Sequence, residues 1–238
     1  MNPSKIVSAD QWILARKRLL AKEKELTRRQ DELAEERRAL PWVLVEKSYV
    51  FQGPTGRLTL SDLFAEKSQL AVYHFMLGPG WKEGCPSCSL LADHVDGALP
   101  HLAARDVTFA AVSRAPHAEI AAFKQRMGWH FAWVSSNEND FNRDYHVHFS
   151  KEEVASGACE YNYGQDGFRN QEAPGMSVFF KDETGAIFHT YSEYARGLEE
   201  LLGTYHVLDR VPKGRNESGL PWPMAWVRHH DKYGTSAA

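Results

Sequence analysis

The chain has 238 residues, 43% hydrophobic and 25% charged, which suits one large globular domain with an appendage or two small domains. A formal net charge of -3 gives no electrostatic argument for nucleic acid or a membrane surface, and no apolar stretch approaches the about 20 residues a membrane helix needs. Met1 to Ser8 lack the basic-then-apolar layout of a secretory signal, so the cytoplasm is the expected location. Thiols there are kept reduced, which makes a close cysteine pair more at home in catalysis or metal binding than in stapling.

Ser8 to Leu40 reads as one long helix. Ser8 with Gln11 three residues on forms a capping-box pattern, and Leu40-Pro41 ends the helix because the residue before proline is pushed out of helical geometry. Trp12, Leu19, Leu26, Leu33 and Leu40 recur at heptad intervals, a narrow apolar seam between mixed charges. Such a seam either docks on the body of its own chain or serves as a dimerisation arm. The body begins at Trp42. Val43 to Phe51 alternates like a strand, Gly53-Pro54-Thr55-Gly56 is a turn, and Arg57 to Leu60 returns as the second arm of a hairpin. Ser61 to Phe64 reads as a short helix capped by Ser61. Leu70 to Leu77 is almost wholly apolar or aromatic, as in a strand buried on both faces of a mixed or parallel sheet.

Gly78-Pro79-Gly80 breaks that strand, and Ser89 to Leu102 carries helical spacing. Val107 to Val112 is a second apolar strand, Glu119 to Met127 a helix, and Trp129 to Val134 a third strand. This alternation indicates βαβ crossovers. Ser135 to Asn170 is polar and irregular, too long for a bare loop unless it has a task. Met176 to Phe180 and Ala186 to Thr190 form a hairpin, and Gly197 to Leu208 is helical in its first part. The resulting division is a helical arm over 1–41, an α/β domain over 42–208 and a tail over 209–238 whose Trp222 and Trp226 wrap the surface.

Between the break and the next helix stands Cys85-Pro86-Ser87-Cys88, which holds two of the chain's three cysteines. A helix N-terminus offers unpaired N–H groups and the positive end of the helix dipole, both of which favour the reactive thiolate. Cys85 is then the exposed nucleophile, and Cys88, about one turn inside, attacks the mixed disulfide and releases the reduced substrate. Pro86 fits the first helical turn, where a missing N–H is harmless, and counts with the substrate-contacting residues. The pair could instead be half of a zinc site completed by Cys159 and His146 or His148. Placement after a buried strand and before a helix favours redox chemistry, and no metal or other cofactor is expected.

Trp81 is either a platform beside the thiolate or loop packing, and Lys82 and Glu83 flank the motif. His146 and His148 share one side of an extended segment and read as surface or active-site-rim residues; Cys159 reads as a small buried apolar group or a third redox thiol. No Gly-x-Ser-x-Gly elbow and no glycine-rich phosphate loop occurs.

Gly84-Cys85-Pro86-Ser87-Cys88-Ser89, with Tyr73-His74-Phe75-Met76 upstream, resembles a thioredoxin-like family of predicted dithiol-disulfide oxidoreductases related to the peroxiredoxin branch. Leu40-Pro41-Trp42, Phe188-His189-Thr190-Tyr191-Ser192, Tyr194-Ala195-Arg196-Gly197, Pro212-Lys213-Gly214-Arg215 and Met224-Ala225-Trp226-Val227 extend the resemblance over nearly the whole chain. It implies a thioredoxin-like α/β fold with a central mixed sheet flanked by helices, plus the long N-terminal helix and an irregular C-terminal tail. Thioredoxins place a buried acid on the strand before the dithiol; this strand has none, and His74 is the residue that could take the Cys88 proton. They also place a cis-proline before a later strand, and Pro174 is the proline nearest that position. Peroxiredoxins carry a hydroxyl three residues before their reactive cysteine; Lys82 stands there, which sets direct peroxidase chemistry in doubt.

The expectation is therefore an enzyme, a dithiol-disulfide oxidoreductase with Cys85, Cys88 and His74 as catalytic residues and Trp81, Pro86 and Pro174 as substrate contacts. Its partners are an external thiol reductant or disulfide substrate and a second copy through the N-terminal helix, with no nucleic acid and no membrane. The competing expectations are a thioredoxin-scaffold binding or redox-sensing protein without substantial turnover, and a Cys/His metal carrier.

Overall fold

In a computed structural model, residues 5–164 and 167–234 are described. The first four residues of the expected arm and the last four of the expected tail lie outside them. Ser8 caps α1 (Ala9–Arg38): its side chain accepts the Gln11 amide and the Gln11 side chain takes the Ser8 amide in return. Arg37 and Arg38 occupy the last turn, at the negative end of the dipole. No residue of α1 is buried. The chain divides after Pro41 into this arm and a larger unit from Trp42.

The stretch expected as one strand from Val43 to Phe51 is two. β1 (Val43–Leu44) and β2 (Val50–Gly53) are separated by Glu46-Lys47-Ser48, whose polar side chains cannot share the sheet's interior. Lys47 instead binds Asp140 and Asp144 at the surface. β2 turns through Gly53–Gly56 into β3 (Gly56–Thr59), the expected hairpin. The next helix, α2 (Leu60–Leu63), is capped by Thr59 and not by Ser61, because Asp62 completes a reciprocal box with Thr59.

β4 (Gln69–His74) leads to α3 (Pro86–Asp96) and α4 (Leu99–Ala104). The sequence reads these helices as one from Ser89 to Leu102. Gly97 closes the first and Pro100 lies in the first turn of the second, which breaks the run. β5 (Val107–Ser113), α5 (His117–Met127) and β6 (Ala132–Ser135) follow, with Gly128 at φ 68 ending α5. The irregular stretch contains α6 (Phe141–Asp144) and α7 (Lys151–Ser156). β7 (Gly175–Lys181) and β8 (Ile187–Tyr194) form the second hairpin. A 3-10 segment, Ala195–Leu201, and α8 (Gly203–Leu208) precede the tail.

The eight strands lie in the order β1-β8-β7-β4-β5-β6-β2-β3. β4, β5 and β6 are parallel, as the helical crossovers require, and β7 runs antiparallel to β4. This is a mixed sheet with helices on both sides, the α/β architecture the sequence predicts. Tyr73 and Phe75 pack with Cys88, Leu91 and the α5 and 3-10 side chains in one core. Leu70 and Val72 pack with Phe64, Phe141 and Phe179 in another. The alternation along β4 thus assigns its odd and even residues to separate layers.

Candidate active site

The sharp end of β4 positions the dithiol. The Cys85 amide donates to the Met76 carbonyl at 3.0 Å, which folds the 77–84 loop back on its own strand. Gly84 is sterically required there: a Cβ would lie 2.5 Å from Phe75 Cε1 and 2.7 Å from Phe123 Cε1. Its carbonyl faces His229 Nε2 at 2.8 Å, so a buried histidine of the tail holds the backbone beside Cys85. Cys85 is the N-cap of α3 and Pro86 occupies the first turn. The Ser89 amide and hydroxyl both donate to the Cys85 carbonyl, each at 3.0 Å.

The two sulfurs differ. Both are free thiols; Cys85 is half-buried and Cys88 is 1% exposed. A hydrogen bond from the Cys88 thiol, with the backbone amides of Cys88 and Ser87 and the Ser87 side chain, outweighs burial and draws the Cys85 pKa down to about 7. Burial pushes the Cys88 thiol well up, and the neighbouring Cys85 adds to this. The Tyr73 hydroxyl hydrogen-bonds Cys88 and works in the opposite direction, toward the thiolate. Burial, then the Cys88 charge, holds that phenol firmly protonated and therefore a donor.

A cavity of about 390 Å3 opens on both sulfurs. Tyr73, Met76 and Leu91 form its floor with the dithiol, and Pro174 lies on its lining immediately before β7. The peptide bond before Pro174, which the sequence left open between cis and trans, is trans. The Pro174 carbonyl accepts from the Tyr161 hydroxyl at 2.6 Å. Leu198, Leu202 and the tail residues Trp222, Pro223 and Met224 complete the wall. Glu217 fixes that stretch of tail: one of its carboxylate oxygens accepts from the Tyr205 hydroxyl, the Met224 amide and the Trp226 indole, at 2.7, 2.9 and 2.7 Å.

His74 is not in this group. Strand alternation turns it to the opposite face of the sheet, where its ring stacks on Tyr145 and tilts against Phe141. Nε2 lies 2.8 Å from the Ser177 hydroxyl, Ser177 reaches Ser192, and Ser192 reaches His189. Burial and then the nearby His189 lower the His74 pKa to about 3, and its buried Nδ1 has no hydrogen-bond partner. The expectation that it relays the Cys88 proton fails for this steric reason.

Trp81 also falls elsewhere. It lines a neighbouring cavity with Gly78, Arg114 and Glu172 rather than the space over the sulfurs. There Arg114 donates to Glu172 at 2.9 Å and lies 2.7 Å from His148 Nδ1. Cys159 is buried among Val147, Phe149 and Tyr161, and burial raises its thiol pKa. Among the described residues no group of three or more His, Cys, Asp or Glu could hold a metal ion. Glu83, beside the dithiol, is held by Lys232 and Arg126, and these contacts lower its carboxyl pKa.

Tyr73, Gly84, Glu217 and His229 are the site residues that sequence reasoning missed. Tyr73 carried one signal, its place in the apolar run that leads to the dithiol, but not the face it occupies. Glu217 and His229 carried none: His229 meets a backbone carbonyl 145 residues away in the chain, and Glu217 gathers Tyr205, Met224 and Trp226 within an irregular stretch that has no periodicity to mark them.

A family described as bacterial protein of unknown function (DUF899) matches residues 1–233, and the chain belongs to it. No curated protein matches the sequence. Among solved structures the chain is similar to peroxiredoxin Q of Xanthomonas campestris, with 16% identity, a TM-score of 0.48, and coverage of 69% of this chain and 95% of that one. Peroxidoxin BcpB of Mycobacterium tuberculosis has 13% identity and a TM-score of 0.43, covering 71% and 97%. The mitochondrial 2-cys peroxiredoxin of Plasmodium falciparum has 13% identity and a TM-score of 0.41, covering 68% and 90%. Among the described residues no helix is long and apolar enough to cross a membrane.

Proposed function

We propose that the protein is a thiol-disulfide oxidoreductase whose working couple is Cys85 and Cys88. The observation that carries this reading is the inequality of two free thiols one turn apart at one helix N-terminus, both lining one cavity: Cys85 is the half-buried N-cap, whose pKa its surroundings draw down, and Cys88 is buried, which raises its pKa. At neutral pH a large share of Cys85 is thiolate, and Cys88 stays protonated until it is needed.

The Cys85 thiolate attacks one sulfur of a disulfide R–S–S–R. The S–S bond breaks, a mixed disulfide forms at Cys85, and one RS⁻ departs. Cys88 then loses its proton to the departed thiolate and attacks Cys85 Sγ. The second RS⁻ leaves and the Cys85–Cys88 disulfide forms. The substrate gains two electrons, the dithiol loses two, and an external thiol reductant restores it.

Tyr73, not His74, stands beside Cys88, and its part differs from the proton relay the sequence reading gave to His74. Its hydroxyl is within hydrogen-bond reach of Cys88 and stays protonated, so it stabilises the Cys88 thiolate as it forms. It is a donor throughout and takes no proton. Pro86 fixes the first turn of α3, and Pro174 lines the cavity.

The test is reduction of insulin or a small disulfide with a thiol reductant, with the dithiol state read by intact mass. The protein should cycle between forms that differ by two hydrogens, and Cys85→Ser should abolish turnover. Turnover unchanged by Cys85→Ser overturns the reading.

A further inference from the structure

The space over the sulfurs is walled by apolar side chains from four separate parts of the chain: Met76 after β4, Leu91 of α3, Leu198 and Leu202 of the 3-10 segment and its end, and Trp222 and Met224 of the tail. The tail wall is a built one, since the three hydrogen bonds to Glu217 fix the backbone at Met224. The charged residues on the lining, Arg196 and Glu199, are paired with each other at 2.9 Å. Glu199 is also bound by Arg215. A volume of about 390 Å3 lies at the lower end of the range of small-molecule sites, roughly 300 to 1,000 Å3. A mostly apolar lining, with its one pair of opposite charges joined at the solvent-exposed edge where the Arg196 side chain is 86% exposed, leaves the carboxylates and ammonium groups of a charged disulfide no buried partner over the sulfurs, and offers a great deal to an alkyl or aryl arm.

We infer that this cavity selects small organic disulfides carrying an apolar group, and that it discriminates against glutathione disulfide and protein disulfides. The inference deepens the oxidoreductase reading and rests on it. The reaction is the one written above, with R an alkyl or aryl group: R–S–S–R takes two electrons from the dithiol and leaves as RS⁻ and RSH. The arm of the sulfur first bound at Cys85 sits against Met76, Leu198 and Met224 while Cys88 attacks from the floor.

The experiment compares initial rates of the reduced full chain with hydroxyethyl, diethyl, dipropyl and dibutyl disulfides, glutathione disulfide and insulin. The expected result is a rise in kcat/KM of about fourfold per methylene along the alkyl series, with glutathione disulfide about a hundredfold below dibutyl disulfide. Met224→Gln should lower the ratio of dibutyl to hydroxyethyl disulfide turnover by about tenfold. A second measurement does not depend on that variant: dibutyl sulfide, an unreactive thioether, should bind the Cys85→Ser protein saturably in calorimetry. A flat alkyl series, glutathione disulfide or insulin reduced as fast as dibutyl disulfide, or no thioether binding overturns this inference while leaving the dithiol chemistry standing. Failure of every disulfide to oxidise the Cys85–Cys88 pair overturns the oxidoreductase reading and this inference with it.

Discussion

Tyr73 and His74 are neighbours on one strand, yet they belong to different halves of the molecule. Tyr73 faces α3, and its hydroxyl meets the Cys88 sulfur at the floor of a cavity. His74 faces the other layer, where it is wedged between aromatic rings and joined to Ser177. Either residue could in principle handle a proton. In the proposed mechanism geometry gives Tyr73 the place beside Cys88 and leaves His74 a structural task. The comparison teaches that in a doubly buried strand the face a side chain occupies decides its role more than its pKa in water does.

The widest separation between the two layers is expected in activity. Cys85→Ser should bring disulfide reduction below detection. Cys159→Ser, in a third apolar cluster away from the cavity, should keep turnover and lose stability of about 1 to 3 kcal/mol. Coupled reductant oxidation and urea unfolding check the two. His74→Ala should destabilise by about 2 to 4 kcal/mol through lost ring packing and the lost bond to Ser177, with the Cys85 alkylation midpoint unmoved.

His74 also ties its layer to pH. Its folded pKa, about 3, lies below the unfolded value near 6.5. A neutral buried imidazole is therefore a stabilising condition, fully present above about pH 6.5 and lost progressively as pH falls toward about 3. Urea unfolding of the native chain between these limits should show a steep loss, reduced in His74→Ala. An identical acid limb in both proteins would remove His74 from the account.

On the dithiol face the smaller effect comes from Tyr73→Phe. The ring packing survives and only the hydroxyl bond to Cys88 is lost, so the resolving step should slow by about tenfold. In stopped-flow mixing with a disulfide, the mixed disulfide at Cys85 should accumulate in the variant and not in the native protein. A uniform loss of rate with no accumulated intermediate would make the hydroxyl merely structural.

The placement of the two cysteines at a helix start was legible because its signals are local. An apolar run, a glycine break and a Cys-Pro-x-Cys opening a helix need no tertiary information, and the same holds for the Ser8–Gln11 cap and the Gly53–Gly56 hairpin. The facing of Tyr73 and His74 was not legible, since a strand buried on both sides has no polar alternation to mark its faces. Val43 to Phe51 misled for a related reason: apolar residues at both ends of the segment pack at distant places in the sheet, and the polar crossing between them is short. Trp81 stood close to Cys85 in sequence, but the 77–84 loop carries it into the Arg114–Glu172 cavity. The tail's part in the site depends on Glu217 and His229, whose partners no sequence spacing reveals.

Trapping the first covalent step is the most direct measurement. Cys88→Ser protein, which keeps Cys85 and cannot resolve, is mixed with a symmetrical disulfide and digested for mass spectrometry. The account predicts one stable adduct, carried by Cys85, formed with a pH midpoint near 7. An adduct on Cys159 in place of Cys85, or no adduct at any pH up to that of an ordinary thiol, would contradict it.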